Sequence, residues 1–229
     1  MSPAEKAGAM SGAHPASPFF STKRLTNHWA RPARLPSYYW FLTFENQPEL
    51  RQLARHCQSV LSFPFYDLTA SDALHMTVER IAFEGEITNA QLAAVTSSAA
   101  EVCQSIAPIE LTVGRLGGTP GAVGFSAYPP QPASDLRNAL RAVTVTAFPA
   151  ARLRPASFDP HVTIAYCNTD DIPAARAVEA VKSLQGHATS LRITEVSLVL
   201  LQRLPRAYAW QTITRLPLLG TDPSRPTTT

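Results

Sequence analysis

The sequence lacks several features that would place it in a specialised class of protein. Only three of its 229 residues are cysteines, and they form no Cys-x-x-Cys pair, which argues against a zinc site or a disulfide framework and suits a reducing cytoplasm. No run reaches the roughly 18 apolar residues of a membrane helix. No basic stretch followed by an apolar one opens the chain, so no signal peptide is predicted.

A strong excess of charge is also missing. The net charge of +3 is too small for a protein that coats nucleic acid, and it does not call for a large RNA partner. Lysine supplies only three of the 20 basic residues, so most of the positive charge is arginine, whose planar guanidinium can bind phosphate.

What is present is enough apolar sequence for a core, since 45% of the residues are hydrophobic. Residues 1–22 and 220–229 are rich in Ala, Ser, Pro, Gly and Thr, and we expect them to be a disordered lead and a disordered tail. The remaining residues, 23–219, are predicted to form a single domain.

Strand patterns alternate with helix patterns within this domain. Strands are predicted at 37–44, 73–83, 109–116, 122–128, 161–167, 191–202 and 207–216. Helices are predicted from Pro48, from a capping box at Thr88 and Gln91, from a cap at Ser134, and from Pro173 to Gly186. Hairpins mixed with helices favour an α+β fold with mainly antiparallel sheet.

Two of the strands carry the pattern His-apolar-Thr-apolar, in LHMTVERI (74–81) and PHVTIAYC (160–167). Side chains alternate along a strand, so His75 shares a face with Thr77, and His161 shares a face with Thr163. A lone histidine in such a strand is more simply a core residue bonded to the backbone, but two in equivalent places favour a function. The third match, His187-Ala188-Thr189, follows a helix end and is predicted to be a surface histidine.

Two imidazoles and two hydroxyls facing one cleft suit chemistry at a phosphodiester. An imidazole titrates near pH ~6.5, so one ring can be neutral and the other protonated, which provides a base and an acid. Threonine hydroxyls can donate hydrogen bonds to phosphate oxygens. A metal site is the less favoured interpretation, because no Asp-rich cluster and no third histidine lies near either motif.

At these residues the sequence resembles the 2H phosphoesterase superfamily, and within it the bacterial 2′-5′ RNA ligase and cyclic phosphodiesterase branch. The resemblance implies a bilobal fold with two pseudo-symmetric antiparallel sheets and outer helices around a central cleft. It implies hydrolysis of a 2′,3′-cyclic phosphate on an RNA end or a small nucleotide, or reversible 2′-5′ RNA joining. His75 and His161 are then the acid–base pair, and Thr77 and Thr163 hold the phosphate. We expect a monomer with no cofactor and no membrane partner.

Other residues near the expected cleft carry weaker predictions. Arg203, Arg206 and Tyr208, in the turn that closes the fold, are predicted to contact the phosphate or base. Glu79 departs from the family pattern, and in a regular strand it would share the face of His75, while Arg80 would point away. His28 and Trp29 are predicted to pack over a sheet as a cover.

Two alternatives remain at this stage. In the first alternative, the cleft catalyses another small-molecule reaction in a biosynthetic pathway. The carboxylate of Glu79 and the absence of a basic stripe favour this alternative. The protein can also be a nucleotide-binding protein without turnover, although two intact motifs argue against that.

Overall fold

A computed structural model of the chain describes residues 17–32, 35–155 and 157–221. The strands in these residues are β1 (Arg24–Leu25), β2 (Ser37–Thr43), β3 (Tyr66–Leu68), β4 (His75–Phe83), β5 (Ile109–Thr119), β6 (Ala122–Tyr128), β7 (His161–Cys167), β8 (Ile172–Pro173), β9 (Ala188–Ile193), β10 (Glu195–Arg203) and β11 (Tyr208–Pro217). The α-helices are α1 (Pro48–Val60), α2 (Asn89–Ser105), α3 (Gln131–Ala147) and α4 (Ala175–Ser183), and a 3₁₀ helix spans Pro18–Ser21.

Two antiparallel sheets carry the fold. The first sheet has the strand order β11-β10-β2-β4, and the second has the order β3-β7-β6-β5-β9. The motif strand β4 forms an edge of the first sheet and approaches β7, the motif strand of the second. The short strands β1 and β8 pair with each other in a separate ribbon. The predicted α+β fold with antiparallel sheets is confirmed.

Helices cover the sheets because each has one apolar face to bury. The helix α3 packs against β4, α2 packs against β11 and α3, and α1 packs against β7 and β9. The predicted capping box is present, since Thr88 and Gln91 satisfy each other's backbone N–H groups at 3.2 and 3.0 Å. One continuous hydrophobic cluster joins both sheets. Within the described residues, no helix combines the length and apolar character needed to cross a bilayer.

Several predicted boundaries are wrong. The helix predicted from Pro173 begins at Ala175, because Pro173 pairs with Arg24 in β8. The helix α3 begins at Gln131, and the hydroxyl of Ser134 donates to the carbonyl of Pro130 inside the helix at 2.9 Å instead of capping it. The strand predicted at 191–202 is two strands, β9 and β10, divided at Thr194. The disordered lead cannot extend to residue 22, because Phe19 of the 3₁₀ helix is fully buried.

The ends of the chain lie mostly beyond the structure. Residues 1–16 and 222–229, where the lead and the tail are predicted, lie outside the described residues. Within the predicted tail, the N–H of Gly220 donates to the carbonyl of Ile106 at 2.9 Å, so this residue still belongs to the folded part.

Candidate active site

The first motif lies on the face of β4 that looks away from the covering helix α3. In the pairing with β2, His75 lies opposite Thr43 and Thr77 lies opposite Phe41, so both motif side chains share one face. A bulge follows, in which Val78 has no partner on β2. The bulge shifts the alternation by one residue.

The second motif repeats this arrangement on β7. His161 lies opposite Ser126 and Thr163 lies opposite Gly124, and then Ile164 is the unpaired residue of a bulge. A side chain at Gly124 would meet the carbonyl of Val162 at 2.7 Å, so glycine allows the two strands to approach beside the motif. In both strands the fifth residue after the histidine, Arg80 or Tyr166, therefore returns to the motif face.

Each motif histidine is oriented by a backbone carbonyl two residues before it. The Nδ1 atom of His75 lies 2.9 Å from the oxygen of Ala73, and that of His161 lies 2.7 Å from the oxygen of Asp159. A carbonyl only accepts hydrogen bonds, so Nδ1 carries the proton in both rings. The Nε2 atom of each neutral ring is then left with a free lone pair, which can take up a proton and later return it.

The two rings have different surroundings. His75 is partly buried, stacked on Phe41 at 4.4 Å between ring centroids and edge-on to Trp210 at 5.0 Å. Burial lowers the pKa of His75 to about 4. The hydrogen bond to the Ala73 carbonyl acts to raise this pKa, and the charge of nearby His161 acts to lower it. His75 is therefore neutral in the free protein at pH 7. His161 is exposed to solvent.

The two motif threonines lie on the same faces as their histidines and are partly buried. Tyr166, the residue that the bulge returns to the face of Thr163, is also partly buried, and burial raises the pKa of its phenol. The structure thus brings the four predicted motif side chains to two strands that approach each other.

Arg203 and Tyr208 are held by protein groups. Arg203 donates to the carbonyl of His28 at 3.1 Å, and its guanidinium lies over the ring of Trp29 at 5.4 Å. The phenol of Tyr208 lies 2.8 Å from Nε2 of His28. Both side chains therefore bind the segment 26–32, which we call the strap. The prediction that His28 and Trp29 form a cover agrees with these contacts.

A carboxylate that sequence reasoning missed fixes the strap to the second sheet. Asp67 accepts from Nε1 of Trp29 at 2.8 Å, from Asn168 at 3.0 Å and from two nitrogens of Arg206. Burial acts to raise the pKa of Asp67, but the hydrogen bonds from Arg206, Asn168 and Trp29 outweigh it and hold the pKa below its ordinary value. No motif surrounds Asp67 in the sequence, so its partners could not have been inferred from spacing.

The expectation for Glu79 is wrong. The bulge places Glu79 opposite Trp40, on the face away from His75, where the carboxylate is fully buried. It pairs with Arg137 at 2.8 Å and with Arg141, and it accepts the N–H of Arg154 at 3.1 Å.

Arg80 also departs from its expectation. It lies on the motif face, stacks over Phe83 at 4.5 Å and donates to the carbonyl of Arg152 at 3.3 Å. A regular two-residue alternation places both Glu79 and Arg80 on the wrong face, because it takes no account of the bulge.

The Glu79 cluster also connects the two motifs. Arg137 donates to the carbonyl of Val78, the bulge residue of β4, at 3.2 Å and to the carbonyl of Pro155 at 2.8 Å. Pro155 and Arg154 belong to the loop that leads into β7. The cluster therefore ties the strand of the first motif to the loop that positions His161.

Two histidines with Nδ1 bonded to a backbone carbonyl thus lie on bulged strands of two antiparallel sheets. The profile of the 2′-5′ RNA ligase superfamily matches residues 47–204, which is more than half of the chain. The chain belongs to this superfamily, and the resemblance to the 2H phosphoesterases is confirmed. This membership makes the protein an enzyme of phosphoester hydrolysis or RNA joining. No curated protein sequence matches it significantly.

Solved structures share the fold at low sequence identity. TT0787 of Thermus thermophilus superposes with a TM-score of 0.63 and 16% identity, over 81% of this chain and 100% of that chain. LigT of E. coli complexed with 3′-AMP superposes with a TM-score of 0.59 and 16% identity, over 81% and 99% of the two chains. LigT complexed with NADP+ gives 0.58 and 21%, over 80% and 99%.

Proposed function

We propose that the protein hydrolyses 2′,3′-cyclic phosphates of small nucleotides or RNA ends without a metal ion, with reversible 2′-5′ RNA joining as a second use of the same site. The observation that carries this proposal is the shared orientation of His75 and His161. Both rings are tied through Nδ1 to a backbone carbonyl, which leaves both Nε2 atoms available for proton transfer.

In this reaction one imidazole takes a proton from water as the water oxygen attacks phosphorus. The bond from phosphorus to one ribose oxygen breaks, and the other ring, which enters this step as a protonated imidazolium, gives its Nε2 proton to that oxygen. Thr77 and Thr163 donate hydrogen bonds to the non-bridging phosphate oxygens, whose negative charge grows as water attacks. In joining, a ribose hydroxyl replaces water and the proton transfers run the same way.

The substrate class is supported by the site and by the relatives. LigT of E. coli has been solved with 3′-AMP, ATP and NADP+, so one relative of this fold accepts nucleotides. Here the partly buried aromatic rings of Trp210, Tyr166 and Tyr208 lie on the motif faces, where a base can stack. We place Arg203 and Tyr208 at the nucleotide end of the site, beside the strap, and we keep a cytoplasmic monomer as the expected form.

One of the two observations that favoured a cleft redirected to another reaction no longer holds. It rested on a carboxylate at position 79 that would repel a phosphate, but Glu79 lies on the opposite face and is paired with arginines. A binding protein without turnover makes no use of two free Nε2 atoms. Phosphoester chemistry is therefore the only function that we propose for this site.

The test is hydrolysis of the four nucleoside 2′,3′-cyclic monophosphates with EDTA present. We expect turnover by the wild type and a loss of roughly 10²–10⁴-fold in kcat for His75→Ala and for His161→Ala, since each removes one proton-transfer group. His187→Ala is the matched control, because His187 has the same His-x-Thr pattern but an exposed position before β9. Activity that EDTA abolishes, or that survives in both motif variants, contradicts the proposal.

A further inference from the structure

The strap crosses from one sheet to the other. On the second sheet, the N–H of His28 donates to the carbonyl of Cys167 at 2.8 Å and Trp29 donates to Asp67 at 2.8 Å. On the first sheet, the ring of His28 bonds Tyr208 and its carbonyl accepts from Arg203. The strap is therefore bonded to both walls of the cleft.

The strap contacts aromatic residues that share the faces of the two motifs. Tyr166 shares the face of Thr163, and the His28 ring lies 4.3 Å from the Tyr166 ring. On the other wall, Tyr208 shares the face of Trp210, whose ring contacts His75. Trp29 lies 5.1 Å from Tyr166 and 5.3 Å from Tyr208, so its ring bridges the two walls.

The strap is built as a fixed wall. The polar atoms of its two rings are satisfied inside the protein, Nε1 of Trp29 by Asp67 and Nε2 of His28 by Tyr208. Asp67 is held in turn by Arg206 and Asn168. The strap also precedes residues 47–204, the part of the chain that the superfamily profile matches.

The space between the motifs and the wall is short. Tyr166 is three residues beyond Thr163, which is at most about 10 Å along a strand that rises about 3.3 Å per residue. That length accommodates one nucleoside stacked against the aromatic rings, and a second nucleotide would meet Trp29 and His28.

We infer that the strap ends the cleft and restricts the enzyme to mononucleotide-sized substrates, with Trp29 as the specificity-determining residue. This inference rests on the proposed function and narrows it. The nucleoside that bears the cyclic phosphate stacks on the wall, and an RNA chain continuing from its 5′ oxygen runs into the strap.

The experiment compares adenosine 2′,3′-cyclic monophosphate with an adenylate decamer that ends in the same cyclic phosphate, so the chemistry is identical and only length differs. We expect the wild-type kcat/KM to be at least about tenfold higher for the mononucleotide, and Trp29→Ala to reduce that ratio to about threefold or less. Trp29→Phe, which keeps a ring but loses the bond to Asp67, is the matched comparison and keeps part of the preference. Asp67→Asn, which weakens the attachment of the strap, serves if Trp29→Ala does not fold.

Equal kcat/KM for both lengths in the wild type overturns the inference, as does an unchanged ratio in Trp29→Ala and Asp67→Asn. Absence of turnover at every length is a failure of the proposed function. In that case the size limit is read by binding, through quenching of tryptophan fluorescence by 3′-AMP and by a decamer ending in a 3′-phosphate. Tighter binding of 3′-AMP in the wild type, lost in Asp67→Asn, supports the strap as a wall, and equal binding rejects it.

Discussion

The two motif strands, β4 and β7, share a backbone arrangement but place it in different surroundings. Each presents His-x-Thr on one face, bulges at the next residue, and ties its histidine through Nδ1 to a carbonyl two residues earlier. Their side-chain environments diverge, since His75 lies between aromatic rings whereas His161 is exposed. The backbone thus sets the orientation of both rings, and burial among its neighbours lowers the pKa of His75.

The residues after each motif diverge in the same way. On β4 the bulge is followed by Glu79, a buried charge paired with arginines, and by Arg80 on the motif face. On β7 it is followed by Ala165, which is fully buried, and by Tyr166 on the motif face. Two tetrapeptides with the same His-apolar-Thr-apolar pattern are therefore followed by a buried ion pair on β4 and by a buried apolar residue on β7.

The largest expected effect separates the chemical roles of the two histidines. A nucleoside p-nitrophenyl phosphate has a leaving group that departs without protonation, so the variant lacking the acid should regain activity on it. We expect one of His75→Ala and His161→Ala, but not both, to recover about 10²-fold relative to the cyclic substrate. Release of p-nitrophenolate measures this, and equal impairment of both variants on both substrates would show that the rings do not divide the roles.

The next effect concerns Glu79, the buried charge on β4 that has no counterpart on β7. Glu79→Gln should lower the free energy of unfolding by about 3–5 kcal/mol, because it removes the buried carboxylate charge that pairs with the Arg137 guanidinium. Glu110→Gln is the matched control, since Glu110 pairs with Arg192 on the surface and should change stability by about 0–1 kcal/mol. Urea unfolding of both variants tests this, and similar values for the two would refute the role of the buried cluster.

The smallest effect concerns the coupling of the two rings. The charge of His161 lowers the pKa of His75, so His161→Ala should move that pKa upward from about 4, while burial keeps it below 6.5. His75 should therefore stay neutral at pH 7 in both forms. NMR titration of the imidazole carbons measures the change, with His187→Ala as the control that leaves the pKa of His75 where it was. A downward or absent change in His161→Ala would mean that the rings are not electrostatically coupled.

Sequence reasoning predicted the strands, the helices and the shared faces of the motifs, because these features depend on local periodicity. It failed at Glu79 and Arg80 because a bulge changes the alternation without leaving a distinct signal in VER (78–80). It also assigned Arg203 and Tyr208 to the substrate alone, since nothing local indicates that His28 lies against them.

The sequence by itself determined the candidate residues for the chemistry that we propose, because two His-x-Thr patterns in strand context are readable within eight residues each. Only the tertiary structure decided the tautomer of both rings, the neutral state of His75 and the wall formed by Trp29 and Asp67. These features depend on contacts between residues distant in the chain, or on backbone geometry that a residue pattern does not record. Burial, register and hydrogen-bond partners arise only when the two sheets face each other.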